Sequence, residues 1–198
     1  NINFDLSDGQ CICLLGPSGS GKTTLLQIAG LLDSPTKGEI IINGKKCDHL
    51  SQEDKNFIRK QHIGFVYQNF YLLDSFSALE NVIIPQLING SGFDNARKRA
   101  KNLLSDLGLS KRLYNKPREL SGGEKQRVSI LRAIANRPKI ILADEPTGNL
   151  DKKNSENVVK IIKDMVNHYN ISFIIATHNL SITKKFDKIV KISEGKII

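Results

Sequence analysis

Apolar and polar positions along the chain alternate between two textures. Short apolar runs stand at Cys11–Leu15, Ile63–Tyr67, Ile140–Ala143, Ser172–Ala176 and Ile189–Ile192. Bounded by turn formers, they read as buried strands of a parallel sheet. Between them the spacing becomes helical. From Asp94 to Gly108, Ala96, Ala100, Leu103, Leu104 and Leu107 recur on one face, with Asp94 suited to the N-cap and Gly108 to the C′ position. Helices are also predicted over Thr24–Ala29, from a Ser51/Asp54 cap through Lys60, and over Gly122–Asn136, stopping before Pro138. Val158, Ile162, Met165, Val166 and Tyr169 mark the buried face of another. The stretch Gly38–Lys46 holds a strand closed by Asn43-Gly44, a hairpin signal, and is predicted to join the N-terminal strands in a small antiparallel sheet. Alternating strands and helices predict an α/β fold with a doubly wound parallel sheet. Residues 70–137 form a mainly helical insertion within a single domain spanning 1–198.

Length and composition change this picture little. The 198 residues suffice for one domain with a sizeable core, and 39% hydrophobic with 25% charged residues is ordinary for a soluble protein. No apolar run approaches the ~18 residues that span a bilayer, so a membrane role would need a partner or a surface contact. The first residue is Asn1 rather than Met, close before the first core strand, and we expect a fragment lacking its true N-terminus. Cys11, Cys13 and Cys47 lack metal-ligand spacing and read as buried thiols. The net charge of +9 comes from basic residues spread over Arg97-Lys98-Arg99, Lys101, Lys111-Arg112, Lys116, Arg118 and Lys184-Lys185. No aromatic residues interleave with them as a base-stacking platform requires, so they read as a solvated surface and no nucleic acid is expected.

The chemistry is concentrated in three stretches. Gly16-Pro17-Ser18-Gly19-Ser20-Gly21-Lys22-Thr23-Thr24 fits G-x-x-x-x-G-K-[ST], between a predicted strand and a predicted helix. Its glycines let backbone N–H groups turn inward around phosphate oxygens at a helix N-terminus. Lys22 can reach the β- and γ-phosphates, and the Thr23 hydroxyl can ligate Mg²⁺. Asp144-Glu145 follows a buried strand at its carboxyl end, where ligands bind in open α/β sheets. There Asp144 can hold Mg²⁺ and Glu145 can polarise the attacking water as general base. In Leu120-Ser121-Gly122-Gly123-Glu124-Lys125-Gln126, Ser121 and Glu124 have capping-box spacing. The helix they start opens on two glycines, which leaves a second anion site unobstructed.

On this last stretch the chain resembles the ATP-binding subunits of ABC transporters, and the resemblance covers essentially all 198 residues. It implies a P-loop NTPase fold of the ABC type, with a small antiparallel β subdomain and an inserted helical subdomain over 70–137. Gln68 falls where the family has the glutamine that links Mg²⁺ and water to the membrane partner. His178, after Thr177, matches the switch histidine that contacts the γ-phosphate. Asn149-Leu150-Asp151 occupies the D-loop, with Asn-Leu where many members have Ala-Leu. The aromatic residue that stacks on adenine in the family falls upstream of Asn1. Two copies are implied to pair head to tail, each loop 16–24 facing the partner's Ser121, Gly122, Gly123 and Glu124 across ATP. Hydrolysis is then in-line attack of water, with Glu145 as base and with Lys22, His178 and Mg²⁺ stabilising charge; Thr23, Gln68 and Asp144 stand on the metal side. The implied setting is peripheral, on the cytoplasmic face of a bacterial inner membrane beneath two membrane subunits. Ala143–Asp151 looks like one subgroup of the family that includes the lipoprotein-releasing ATPases among others, and Ile63–Gln68, Leu72-Leu73 and Ala78–Val82 look most like the lipoprotein-releasing members of it. A metabolic P-loop kinase has no use for Leu120–Glu124. Coiled-coil chromosome ATPases insert long heptad arms where about 100 ordinary residues lie here.

Overall fold

The computed structural model describes residues 2–198, the side chain of Ser181 excepted. In chain order the strands are β1 (Cys11–Leu15), β2 (Ile41–Ile42), β3 (Lys45–Lys46), β4 (Ile63–Tyr67), β5 (Ile140–Asp144), β6 (Ser172–Thr177), β7 (Lys188–Ser193) and β8 (Lys196–Ile197). The helices are α1 (Lys22–Ala29), α2 (Gln52–His62), α3 (Ala78–Ile88), α4 (Phe93–Asp106), α5 (Gly122–Ile134), α6 (Lys152–Tyr169) and α7 (Leu180–Thr183). The main sheet has the order β4-β5-β6-β1-β7-β8, parallel except for the closing β8.

Parallel strands covered on both faces need apolar residues throughout, and β1 and β6 are buried almost end to end. Two apolar clusters line the faces. Cys11, Ala143, Phe173 and Ile175 pack with α3–α6, while Ile12, Leu14, Leu142 and Ile174 pack with α1 and α2. Burial pushes the Cys13 thiol up to about 12 and the Cys11 thiol higher still, which keeps both protonated and inert. The register pairs Leu15 with Thr177, Asp144 with Ala176 and Tyr67 with Asp144. Four carboxyl ends therefore finish level, and Gly16, Gln68, Glu145 and His178 leave them along one edge of the sheet.

Several expectations are corrected. The β2–β3 hairpin turns through Asn43 and Gly44 at φ 51° and 72°, but it pairs with no N-terminal strand. Among the described residues before Cys11 there is none, and Phe4 and Leu6 instead pack their side chains against the core. Helix α1 begins at Lys22, two residues before Thr24. Helix α4 is capped by Gly92 rather than Asp94, which sits in the first turn where its charge meets the helix dipole. Helix α5 ends at Ile134, and its last carbonyls at Ala135 and Ile134 accept from Arg99 (2.8 and 3.4 Å). Arg99 thus departs from the solvated basic surface. Tyr169 is 58% exposed; the buried face of α6 is Val158, Val159, Ile161, Ile162 and Met165. No helix among the described residues is long and apolar enough to cross a membrane.

Candidate nucleotide site

The loop between β1 and α1 is shaped by backbone constraints. Gly19 and Gly21 adopt φ 79° and 98°, the left-handed region that favours glycine. At Gly16 a Cβ would lie 2.2 Å from the carbonyl oxygen of Ile192, so the loop starts by passing directly over β7. The β7–β8 turn supports it from below, Gly195 N–H donating to the Ser20 carbonyl at 3.0 Å. Lys22 is buried, and its ammonium donates to the carbonyls of Gly16 and Pro17 at 2.8 Å each and lies 3.5 Å from Ser20 Oγ. The loop therefore holds a desolvated cation in its concavity beside the N-terminus of α1, two features that favour an oligophosphate.

The adjacent carboxylates Asp144 and Glu145 are turned apart. Asp144 Oδ2 accepts from the Thr23 hydroxyl at 2.8 Å. Burial raises its pKa, and the Thr23 hydrogen bond opposes that rise. Glu145 takes φ 46° as β5 ends, an uncommon conformation for a non-glycine residue, and its N–H donates to the Ala176 carbonyl at 2.9 Å. Its carboxylate then reaches the end of β6. Oε2 accepts from Thr177 Oγ1 at 2.9 Å, Oε1 accepts from His178 N–H at 2.9 Å, and His178 Nδ1 lies 2.6 Å from Oε1. Three groups from β6 and the residue after it thus aim one carboxylate. Thr177 is fully buried and was not singled out by motif; a short polar residue ending an apolar strand was its only signal.

Gln68 does not bond the Thr23–Asp144 pair. Its amide nitrogen donates to Asn149 Oδ1 at 3.2 Å. The Ser121 stretch forms a complete capping box at the start of α5. Ser121 Oγ accepts from Glu124 N–H at 3.3 Å, and Glu124 Oε2 accepts from Ser121 N–H at 2.8 Å. Glu124 also pairs with Arg112 at 2.9 Å; these bonds, the backbone one first, hold its carboxyl at about 2. Its side chain is committed to ordering the turn, while Gly122 is exposed and Gly123 is buried. Both glycines lie beside the segment after β5: a Cβ on Gly122 would meet Leu150, and one on Gly123 would meet Asn154, which bonds Asp151, the cap of α6. Glu145, Leu150, Lys152, His178 and Lys185 line an open cleft of about 760 Å³ at the same edge.

Thr23 and Asp144 offer two hard oxygen donors side by side. Such a pair suits Mg²⁺, which keeps several waters and takes further oxygens from phosphates. Among the described residues no group of three or more His, Cys, Asp or Glu could form a closed metal centre instead.

A phosphate loop, a divided carboxylate pair at the sheet's carboxyl edge and a capped Ser-Gly-Gly helix start together define an ABC-type ATPase. The chain belongs to the ABC transporter family, whose model matches residues 1–148. Among its relatives, the lipoprotein-releasing system ATP-binding protein LolD 1 of Rhodospirillum rubrum is 49% identical over 193 residues, covering 98% of this chain and 85% of that one. LolD of Rickettsia bellii is 48% identical, covering 100% and 87%. The uncharacterized ABC transporter ATP-binding protein MJ1508 of Methanocaldococcus jannaschii is 45% identical, covering 100% and 88%. Among solved structures, the dimeric cassette MJ0796 in a post-hydrolysis state bound to ADP and Pi superposes with a TM-score of 0.91 at 37% identity, covering 100% of this chain and 87% of that one. The fold is that of a P-loop NTPase, and the chain is an ATPase of this family, whose cassettes form dimers and pair with membrane subunits.

Proposed function

We propose that this ATPase energises release of lipoproteins from the inner membrane to a periplasmic carrier. The observation that carries the reading is the 49% identity to LolD 1 over 98% of the chain. In this reading two copies pair head to tail on the cytoplasmic face of the membrane, beneath two integral subunits of the LolC and LolE kind. Residues 70–137, with α3, α4 and α5, act as the helical subdomain. Lys22 exchanges its bonds to the Gly16 and Pro17 carbonyls for phosphate oxygens, guided by the N–H groups of residues 16–24. Ser121, Gly122 and Gly123 of the opposite copy close on the γ-phosphate, with Glu124 holding their turn in shape. Glu145, aimed by Thr177 and His178, takes the proton of the attacking water. Thr23 and Asp144, joined by Gln68 when it turns inward, would hold Mg²⁺, which when bound neutralises charge on the β- and γ-phosphates.

The same site would serve an FtsE-like or MacB-like ATPase with another membrane partner, and a relative nearly as similar, MJ1508 at 45% identity, does not carry the LolD name. Affinity purification of the full-length Glu145→Gln protein from its native host, in detergent with ATP, separates the two. Removing the base holds the closed, ATP-bound pair. Two multi-spanning subunits that stimulate wild-type hydrolysis support lipoprotein release. A single four-helix membrane protein supports the FtsE-like reading, and ribosomes or DNA without a membrane partner refute transport.

A further inference from the structure

Gln68 and Asn149, 81 residues apart, are joined by reciprocal amide bonds. Besides accepting from Gln68 Nε2, Asn149 donates through Nδ2 to the Gln68 carbonyl at 3.0 Å and to Asn69 Oδ1 at 3.2 Å. The seat is shaped for that side chain. A Cβ on Gly148 would lie 2.8 to 3.2 Å from the end of Gln68, so a larger residue there displaces the amide from its present position. Gly148 N–H in turn donates to the Glu145 carbonyl at 3.0 Å, and Leu150 N–H to the Thr147 carbonyl at 3.2 Å. The turn that receives Gln68 is therefore a short, bonded continuation of the residue that carries the Glu145 carboxylate.

The other end of this connection is strained and exposed. Phe70 and Tyr71 are consecutive non-glycine residues at φ 49° and 45°, a pairing that persists only where its surroundings enforce it. Arg132 of α5 supplies part of that enforcement by donating to both their carbonyls, to Phe70 at 2.8 Å. Beyond them Tyr71, Leu73 and Phe76 expose apolar surface. Asn149 lies between this outward-facing loop and the carboxylate, and its bonds are the ones on the carboxylate side.

We propose that Asn149 is a positioning residue that locks loop 68–71 to turn 145–150, so that displacement of the exposed apolar loop is felt at Glu145. This rests on the reading of Glu145 as the base, but the lock itself does not depend on what is transported. Hydrogen exchange on the purified full-length protein tests the lock without any turnover. Asn149→Ala removes all three bonds and should speed exchange across 68–73 about tenfold, the scale of one to two net hydrogen bonds, while β5 and β6 stay as in wild type. Gly148→Ala, which displaces the Gln68 amide and so disturbs one of the three bonds, should speed exchange over the same segment to a smaller extent. A double-mutant cycle on kcat then tests the coupling: Asn149→Ala should lower kcat with KM for ATP unmoved, and in that background Gly148→Ala should add no further loss, because the bonds that seat Gln68 are already gone. Wild-type exchange over 68–73 in both seat variants, or additive losses in the cycle, would overturn the proposal. Failure to find lipoprotein-releasing partners would leave these exchange results as they are.

Discussion

Replacing Thr177 by valine removes one buried hydroxyl and keeps the branched shape that packs at the end of β6. The lost group donates to Glu145 Oε2 at 2.9 Å and accepts from Asn179 N–H at 3.1 Å. A hydrogen bond to a carboxylate contributes about 1.5–3 kcal/mol. Here the His178 N–H and ring still anchor Oε1, so Glu145 keeps one end fixed and loses the constraint on the other. The lower part of that range then applies, which is a fall of about ten- to thirtyfold in kcat. The Asn179 bond bears on the fold of the segment after β6 and is read in the melting temperature. The Thr177 hydroxyl has no bond to loop 16–24, so KM for ATP should stay within about twofold. Steady-state ATPase kinetics of Thr177→Val and Thr177→Ser, each checked by thermal unfolding, measure this. Serine keeps the donor and should recover most of the rate. A valine variant with wild-type kcat, a loss confined to KM, or a serine variant as slow as valine would refute the claim that Thr177 aims the base.

Other substitutions probe the elements that carry the site. Gly64→Ala would place a Cβ 2.5 Å from the Ala133 carbonyl and force β4 and α5 apart; overpacking of about 1–3 kcal/mol should lower the melting temperature by about 2–10 °C by calorimetry. Glu124, held at about 2 in the folded protein, contributes stability that is complete above its unfolded value of about 4.3 and is lost as pH falls through about 2. The gap in melting temperature between wild type and Glu124→Gln should therefore narrow on acidification through that window and stay constant at higher pH. Thr23→Val and Asp144→Asn should each raise the Mg²⁺ concentration for half-maximal ATPase activity, while binding of a fluorescent nucleotide in EDTA falls far less than for Lys22→Ala.

What was legible beforehand follows from the physics of each element. The inner parallel strands could be read because burial on both faces demands unbroken apolar runs, as at Ile140–Ala143 and Ser172–Ala176, whereas β7 buries only Val190 and Ile192 and leaves Ile189 exposed. Helix α3 could not be delimited, since Ala78, Leu79, Val82 and Ile83 are buried on several sides and Pro85 lies inside it. Its Ser77–Glu80 capping box was the missed start signal. At α4 the cap rule favoured Asp94, but the chain turns one residue pair earlier at Gly92, where extended backbone alone suffices. At the site, residue types were readable and side-chain directions were not. Nothing in Asp144-Glu145 says that one faces Thr23 and the other Thr177; that follows from β5 lying beside β6 and from the φ of Glu145. The bond of Glu124 to Ser121 was legible as a capping box, but its pairing with Arg112, and that of Gln68 with Asn149, depend on neighbours further away in sequence.

The central claim, that hydrolysis here drives lipoprotein release, is tested most directly in proteoliposomes. The chain and the membrane subunits that co-purify with it would be reconstituted with a fluorescent, lipid-anchored protein, and transfer of that cargo to a soluble carrier followed after adding ATP. Transfer should require ATP and the lipid anchor and stop with Glu145→Gln. Hydrolysis stimulated by those subunits, with the anchored cargo left in the membrane, would contradict it.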